Sequence, residues 1–505
     1  MSKLFSQIRQ NLVVNIISLI LNVFIGLLLV PYLIKYLGIA AYGLVPLAMI
    51  FTDYINIINV SLNSAVGRFF LIEIQNNNWK NANIIFNSAL WGIFGLILIQ
   101  VPILSYIVVE LNILIDIPNG FFIDVTRLFI LTFSGYLISL ISSILNTSMF
   151  ALNRLDLSRK VDIFRVMTRI VIIILLFNVR TPSLLSVGIA NFIAALSAFI
   201  YSFYWNRKLT PKLYLSIKLF SFSKLKTIYS MGGWIILNQV GYLLFVKVDL
   251  LLINKLLGSQ SSGEYAALIQ WNTLIRTFAG IFSGILVPVI IAFYAKKEFV
   301  KMKSYVNFSI KHISLILLIL CSTISGFSKP ILLLWLGDEY VSKFLVLVVM
   351  ILPLAFSMGT LSTLAVNKAH NKVAIPGIVT FFAGLLNFII NYQLLKSGFG
   401  YIYVALVGGS ILLLKNLFFS TIYSAHVMKI PLLSFLKDIP LNFAFMMAIF
   451  TTMFLYNEYH SITTLIELSI TVSISLLLII ALSYLIIINK KDRIIINKLI
   501  INKVR

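Results

Sequence analysis

The sequence predicts an all-α polytopic membrane protein: about 14 transmembrane helices, arranged as two six-helix pseudo-symmetric lobes plus two peripheral helices. Three observations lead there. Apolar stretches long enough to cross a bilayer fill almost the whole 505-residue chain. The composition is 60% hydrophobic and 11% charged, with a mean hydropathy of +1.01, which no soluble core of this size would have. Basic residues gather in every second loop. A hydrocarbon layer of about 30 Å needs about 20 helical residues. A helix crosses it with its backbone hydrogen bonds satisfied internally.

The spans follow in order. The first, 11–36, keeps Pro31 and Lys35 at its end and has no small-residue cleavage site, so it reads as a retained helix and not a signal peptide. The second, 42–70, opens on Ala41-Tyr42-Gly43. Spans 84–109, 121–150, 161–178 and 183–205 complete the N-terminal lobe, 1–206. A basic linker punctuated by Pro211, 207–229, then divides the chain. Spans 230–256, 264–294, 308–327, 341–365, 373–395 and 401–426 form the C-terminal lobe, 230–427. Spans 437–456 and 463–488 fall outside the six-plus-six plan. They carry Glu458 and Glu467 near the outer surface, are expected on the perimeter, and end in a basic tail within 428–505.

Orientation follows from the charges. With a cytoplasmic N-terminus, 27 of the 40 basic residues lie on the cytoplasmic side, in clusters such as Lys212, Lys218, Lys224 and Lys226. The opposite loops hold only Lys35, Arg180, Lys329, Lys343 and Lys396. Both termini are thus expected in the cytoplasm. The net charge of +24 reflects orientation and contact with anionic membrane lipids, with no nucleic acid as partner.

An internal repeat supports the two lobes. The first span ends on Tyr36-Leu37-Gly38 before Tyr42-Gly43, and the seventh ends on Leu256-Leu257-Gly258 before Gly263-Glu264-Tyr265. Six helices separate the copies, so both halves share one orientation. Leu336-Gly337-Asp338-Glu339-Tyr340 after the ninth span is a weaker echo.

These motifs, with Ser64-Ala65-Val66-Gly67-Arg68-Phe69, Gly232-Gly233-Trp234 and Val248-Asp249, resemble the Wzx-type polysaccharide and O-antigen flippases. That group is the polysaccharide-transporter branch of the multidrug/oligosaccharidyl-lipid/polysaccharide (MOP) superfamily. Where its members often carry Asp-x-Gly in the second span, this chain reads Asn59-Val60-Ser61. The resemblance implies a bacterial inner-membrane protein. It would turn undecaprenyl-diphosphate-linked oligosaccharide units from the cytoplasmic to the periplasmic leaflet for O-antigen or capsule synthesis. It also implies a polysaccharide polymerase and a chain-length regulator as partner proteins.

The polar residues inside the spans give the candidate site. Asn22 in span 1, and Asn56, Asn59 and Asn63 in span 2, lie on polar stripes that should line a cavity or bond neighbouring helices. Arg276, Lys247, Lys415 and Arg127 are intramembrane cations. Each costs about 2.5–3.5 kcal/mol at mid-membrane unless a partner or ligand compensates it. For Arg127 the alternative is an ion pair with Asp124, one turn away. A diphosphate suits such cations, because Arg binds phosphate bidentately and Lys as a point charge. Asp53 and Asp249 are the deep carboxylates, candidates for coupling to H+ or Na+ or for neutralising a neighbouring cation.

Enzymatic readings lack parts. His312, His370, His426 and His460 sit at helix ends or loops without metal-ligand spacing, Cys321 is a lone cysteine, and no P-loop occurs. No catalytic residue, metal site or cofactor is expected. The other functions to weigh are a multidrug/cation antiporter, a peptidoglycan-precursor flippase and a membrane polymerase or ligase. The last is disfavoured by short outer loops.

Overall fold

The computed structural model describes residues 2–230 and 233–488. Among them the chain is helical and polytopic throughout. Ten helical stretches there are long and apolar enough to cross a membrane, with shorter apolar helices at 25–37 and 39–55. One of the ten, Ile236–Ala295, runs over two of the predicted spans, and Gly258 inside it has a non-helical φ of 90°.

Many spans are broken near their middles. Asn56 separates Ile39–Ile55 from Ile57–Gln75, and Lys247 separates Gly233–Val246 from Val248–Ala295. The tenth span is divided among Phe344–Ile351, Leu354–Gly359 and Ser362–Ala369, and the twelfth carries a π-helical turn at Leu414–Ser420. A break frees backbone groups that lipid cannot satisfy, so it persists only where protein or a wet cavity supplies partners.

By packing, the chain divides into two compact units. One holds residues up to Gln270 together with Gly377–Tyr401, and the other holds Trp271–Pro376 with Ile402 onward. In the first, helices meet through glycines. A Cβ at Gly43 would stand 2.8 Å from the Cα of Gly263, and one at Gly241 would stand 2.7 Å from the Cα of Phe381. In the second, the Phe299–Gly326 helix packs against Ile439–Tyr459. Asn457 Nδ2 donates to the Gly326 carbonyl at 2.7 Å, and Ser322 Oγ donates to the Met446 carbonyl at 3.3 Å. The last helix, Leu465–Ile486, buries only Ile479 and Ser483.

The three repeat glycines share a backbone shape. Gly38 (φ 80°, ψ 160°), Gly258 (90°, 171°) and Gly337 (110°, 172°) all occupy a region that only glycine enters without strain. Gly43 follows Gly38, and Gly263 follows Gly258, at the same five-residue interval. These two corresponding glycines then touch each other. A Cβ on Gly43 would meet Gly263, and one on Gly263 would stand 2.1 Å from the Ile39 carbonyl oxygen, so neither can carry a side chain.

At Gly337 the space beside the backbone is empty, with no atom within 4 Å of a built Cβ. Gly337→Ala therefore isolates backbone strain. Thermal unfolding in detergent should show destabilisation of about 1–3 kcal/mol. An unchanged midpoint would mean that the positive φ is relaxed at no cost.

Candidate functional site

In the first unit the deep charges fall into two neighbouring groups. Asp53, at the end of Ile39–Ile55, forms an ion pair with Lys247 Nζ at 3.4 Å, the side chains being 41% and 37% exposed. Next to Asp53, Tyr54 donates its hydroxyl to the Leu243 carbonyl at 3.3 Å. The carbonyl of Leu243 accepts the Lys247 amide as well, at 2.9 Å, just before the helix breaks. A half-exposed pair of this kind holds two helix breaks together but contributes little, about 0–1 kcal/mol.

Asp249 lies two residues further on and is buried. Its Oδ1 accepts from Asn387 Nδ2 at 2.9 Å and Asn391 Nδ2 at 3.0 Å, and its Oδ2 from Tyr265 at 3.4 Å. Asn391 Nδ2 also donates to Asn387 Oδ1 at 3.2 Å. The Ala374–Lys396 helix brings both amides there because Gly384 and Gly241 let two backbones approach; a Cβ on Gly384 would stand 2.6 Å from the Gly241 oxygen. Three neutral donors thus converge on one buried carboxyl group. Beyond Tyr265, Tyr401 donates to Glu264, and the Tyr265 and Tyr401 rings meet edge to face at 6.1 Å.

Among the predicted cavity asparagines, Asn59 is fully buried, donating to Tyr136 at 3.1 Å, which donates to Gln100 Oε1 at 3.2 Å. Its Oδ1 has no partner among the described residues. Asn56 is half-buried at the break. The side chains of Asn22 and Asn63 lie outside the described residues. Arg127 is exposed in the second turn of Phe122–Leu145 and forms no ion pair among the described residues, so the local pair with Asp124 is not made.

In the second unit two cations are held by amides. Arg276 Nε donates to Asn272 Oδ1 at 2.6 Å, and Asn272 Nδ2 donates to the Met350 carbonyl at 2.9 Å. Lys415 Nζ donates to Asn416 Oδ1 at 3.1 Å, and Asn416 Nδ2 donates to the Ser357 carbonyl at 3.0 Å. Both amides thus borrow carbonyls from the same broken tenth span. Lys415 lies in the first residues of the π-helical turn, where Ser420 Oγ donates to its carbonyl at 3.1 Å. Such turns concentrate at functional sites. One turn beyond Arg276, Gly280 has no atom within 4 Å of a built Cβ, which leaves open space on that face.

Sequence reasoning brought Arg276, with Asn272 one turn before it, Lys247, Lys415, Asp53 and Asp249 forward but missed Asn387, Asn391 and Asn416. Asn387 and Asn391 recur at a one-turn interval on an otherwise apolar helix, which was the available signal.

The chain matches no sequence-family profile. It is similar to EpsK, an uncharacterized membrane protein of Bacillus subtilis strain 168, with 27% identity over 430 residues and 85% of each chain covered. Its fold is similar to an inward-facing MATE-family multidrug resistance transporter of the MOP superfamily: TM-score 0.66, 15% identity, 81% of this chain and 96% of that one. It is equally similar to the lipid II flippase MurJ in an inward closed conformation: TM-score 0.64, 17% identity, 94% and 98%. The fold is that of the MOP-superfamily transporters, and the chain is a multi-pass membrane protein.

The Asp53–Lys247 pair yields a test. Because both side chains are partly exposed, Asp53→Asn and Lys247→Met should each shift unfolding by no more than about 1 kcal/mol, with a double-mutant coupling of similar size. A coupling of several kcal/mol would mark the pair as a desolvated lock.

Proposed function

We propose that this protein is a flippase for undecaprenyl-diphosphate-linked oligosaccharides, moving them from the cytoplasmic to the periplasmic leaflet of a bacterial inner membrane, with both termini cytoplasmic. The observation that carries this reading is the Arg276–Lys415 pair of cations in the second unit, oriented by Asn272 and Asn416. Among the described residues no carboxylate forms an ion pair with Lys415. An amide positions an ammonium without neutralising it, so an anionic ligand has charge left to bind. A diphosphate supplies that anion, with Arg as the fork and Lys as the point charge. The MOP-transporter fold supports translocation by alternating access, with the six-helix lobes 1–206 and 230–427 rocking about a central cavity.

A cation antiporter fits less well. It needs acidic groups open to its ligand, whereas Asp53 is paired with Lys247 and Asp249 is enclosed by two asparagines and a tyrosine. A peptidoglycan-precursor flippase would share the diphosphate, and the likeness to MurJ favours keeping it as the second reading. The two differ in the sugar carried.

Arg276→Ala should reduce export of surface polysaccharide by about ten- to hundredfold, the worth of a hydrogen-bonded charge, at unchanged membrane abundance. Arg276→Lys should keep part of the activity, since charge survives without the fork. Export at the normal rate by well-expressed Arg276→Ala would overturn the anchor. Flipping of labelled lipid-linked oligosaccharide and of lipid II in proteoliposomes separates the two readings.

Asp249 is proposed as the coupling carboxylate for H+ or Na+. Asp249→Asn should leave transport in proteoliposomes insensitive to an imposed proton or sodium gradient. A variant that still responds to the gradient assigns coupling elsewhere.

A further inference from the structure

The basic stretch between the Leu184–Leu209 helix and the seventh span is docked on the first unit. Asn83 and Asn87, one turn apart on Trp79–Val109, each grip its backbone twice. Asn83 Nδ2 donates to the Lys212 carbonyl at 3.1 Å while its Oδ1 accepts the Tyr214 amide at 3.0 Å. Asn87 Nδ2 donates to the Tyr214 carbonyl at 2.9 Å, and its Oδ1 accepts the Ser216 amide at 2.8 Å. Ser88 Oγ accepts the Ser221 amide at 2.9 Å, and Arg207 donates to the Leu213 carbonyl at 3.1 Å. Each amide offers the donor and acceptor that a neighbouring strand would offer. Leu213 is buried underneath, and Leu225 fills the space left by Gly92, where a Cβ would stand 2.6 Å from its Cδ1.

What faces outward is unusual for a loop in water. Ile217 is 65% exposed and Phe222 71%, with Tyr214, Leu215 and Phe220 exposed beside them. Interleaved with these are Lys218, Lys224 and Lys226, exposed and without an ion pair among the described residues. No acidic residue occurs in the sequence between Asp162 and Asp249. Water alone would leave the large apolar side chains unfavourable, and hydrocarbon alone would exclude the lysines. A surface that mixes both at this density matches the headgroup layer. Depth agrees: Trp79–Val109 has 31 residues, about 46 Å of helix, against about 30 Å of hydrocarbon. The surplus lets its first turns, as far as about Asn83, reach the headgroups.

We propose that residues 210–226 form a membrane-surface anchor that binds anionic phospholipid headgroups through Lys218, Lys224 and Lys226. The positive charge, with no acidic residue in the same stretch of sequence, selects an anionic lipid over a zwitterionic one. The asparagine clamp holds the segment in place before lipid arrives, so little conformational entropy is lost on binding. The anchor is independent of the transported substrate.

The test uses the full chain in nanodiscs of phosphatidylcholine with and without phosphatidylglycerol, with retained phosphatidylglycerol counted by native mass spectrometry. Each Lys→Gln change at 218, 224 or 226 should lower phosphatidylglycerol affinity about fivefold, and Lys→Arg should preserve it. A nitroxide placed by Phe222→Cys, in a Cys321→Ser background, should collide with dissolved oxygen more than with an aqueous nickel chelate. Retention at the wild-type level by the triple Gln variant would overturn the proposal. So would a loss of retention caused by Arg276→Ala instead, or a nitroxide open to the chelate.

Discussion

The rest of the structure depends on one constraint: inside a bilayer no water is available to satisfy a polar group, so each break in a helix must be answered by a side chain. In this protein the answer is repeatedly an asparagine. Asn254 ties the Asp116 backbone to the seventh span, donating to the Asp116 carbonyl at 3.2 Å and accepting its amide at 2.8 Å. Asn272 and Asn416 reach into the broken tenth span. Asn442 and Asn457 attach the thirteenth. An amide carries a donor and an acceptor on one short arm, so a single residue can satisfy a freed carbonyl and still orient a charge. It does this without adding a charge that must itself be compensated.

That choice separates the two kinds of site. Where a carboxylate sits deep, as at Asp249, amides and a phenol turn their donors toward it and enclose it. Where a cation sits deep, as at Lys415, an amide turns its oxygen toward it. The same residue type therefore stabilises either sign. What differs is the backbone beneath: the glycine approach of Gly241 and Gly384 for the acid, and a π-helical turn for the lysine.

The helices and their order were legible in the sequence, because hydropathy and loop charge are properties of consecutive residues. The three glycines of the expected repeat share one backbone shape. Partnerships were not legible. Lys247 pairs with Asp53, far away in sequence, and not with its neighbour Asp249, because two residues on a helix face nearly opposite ways. The π-helical turn at Lys415 has no signature in the apolar run around it. The clamped linker read as a loose basic loop, since the asparagines that hold it lie more than a hundred residues earlier.

Glycine supplies the remaining argument. Gly43 and Gly263, each five residues after a positive-φ glycine, touch near the start of the second and eighth spans. Beside them Asp116 Oδ2 accepts the Ser259 amide at 2.7 Å, directly after the strained Gly258. A contact between bare backbones buries little apolar surface, and one carboxylate hydrogen bond to an exposed loop is worth little more than about 1–3 kcal/mol. A closure built this way is tight in geometry yet shallow in energy. The alternating access proposed above needs that combination: a contact close enough to exclude water and weak enough for ligand binding to reverse, since a ligand shifts an equilibrium only by its differential affinity.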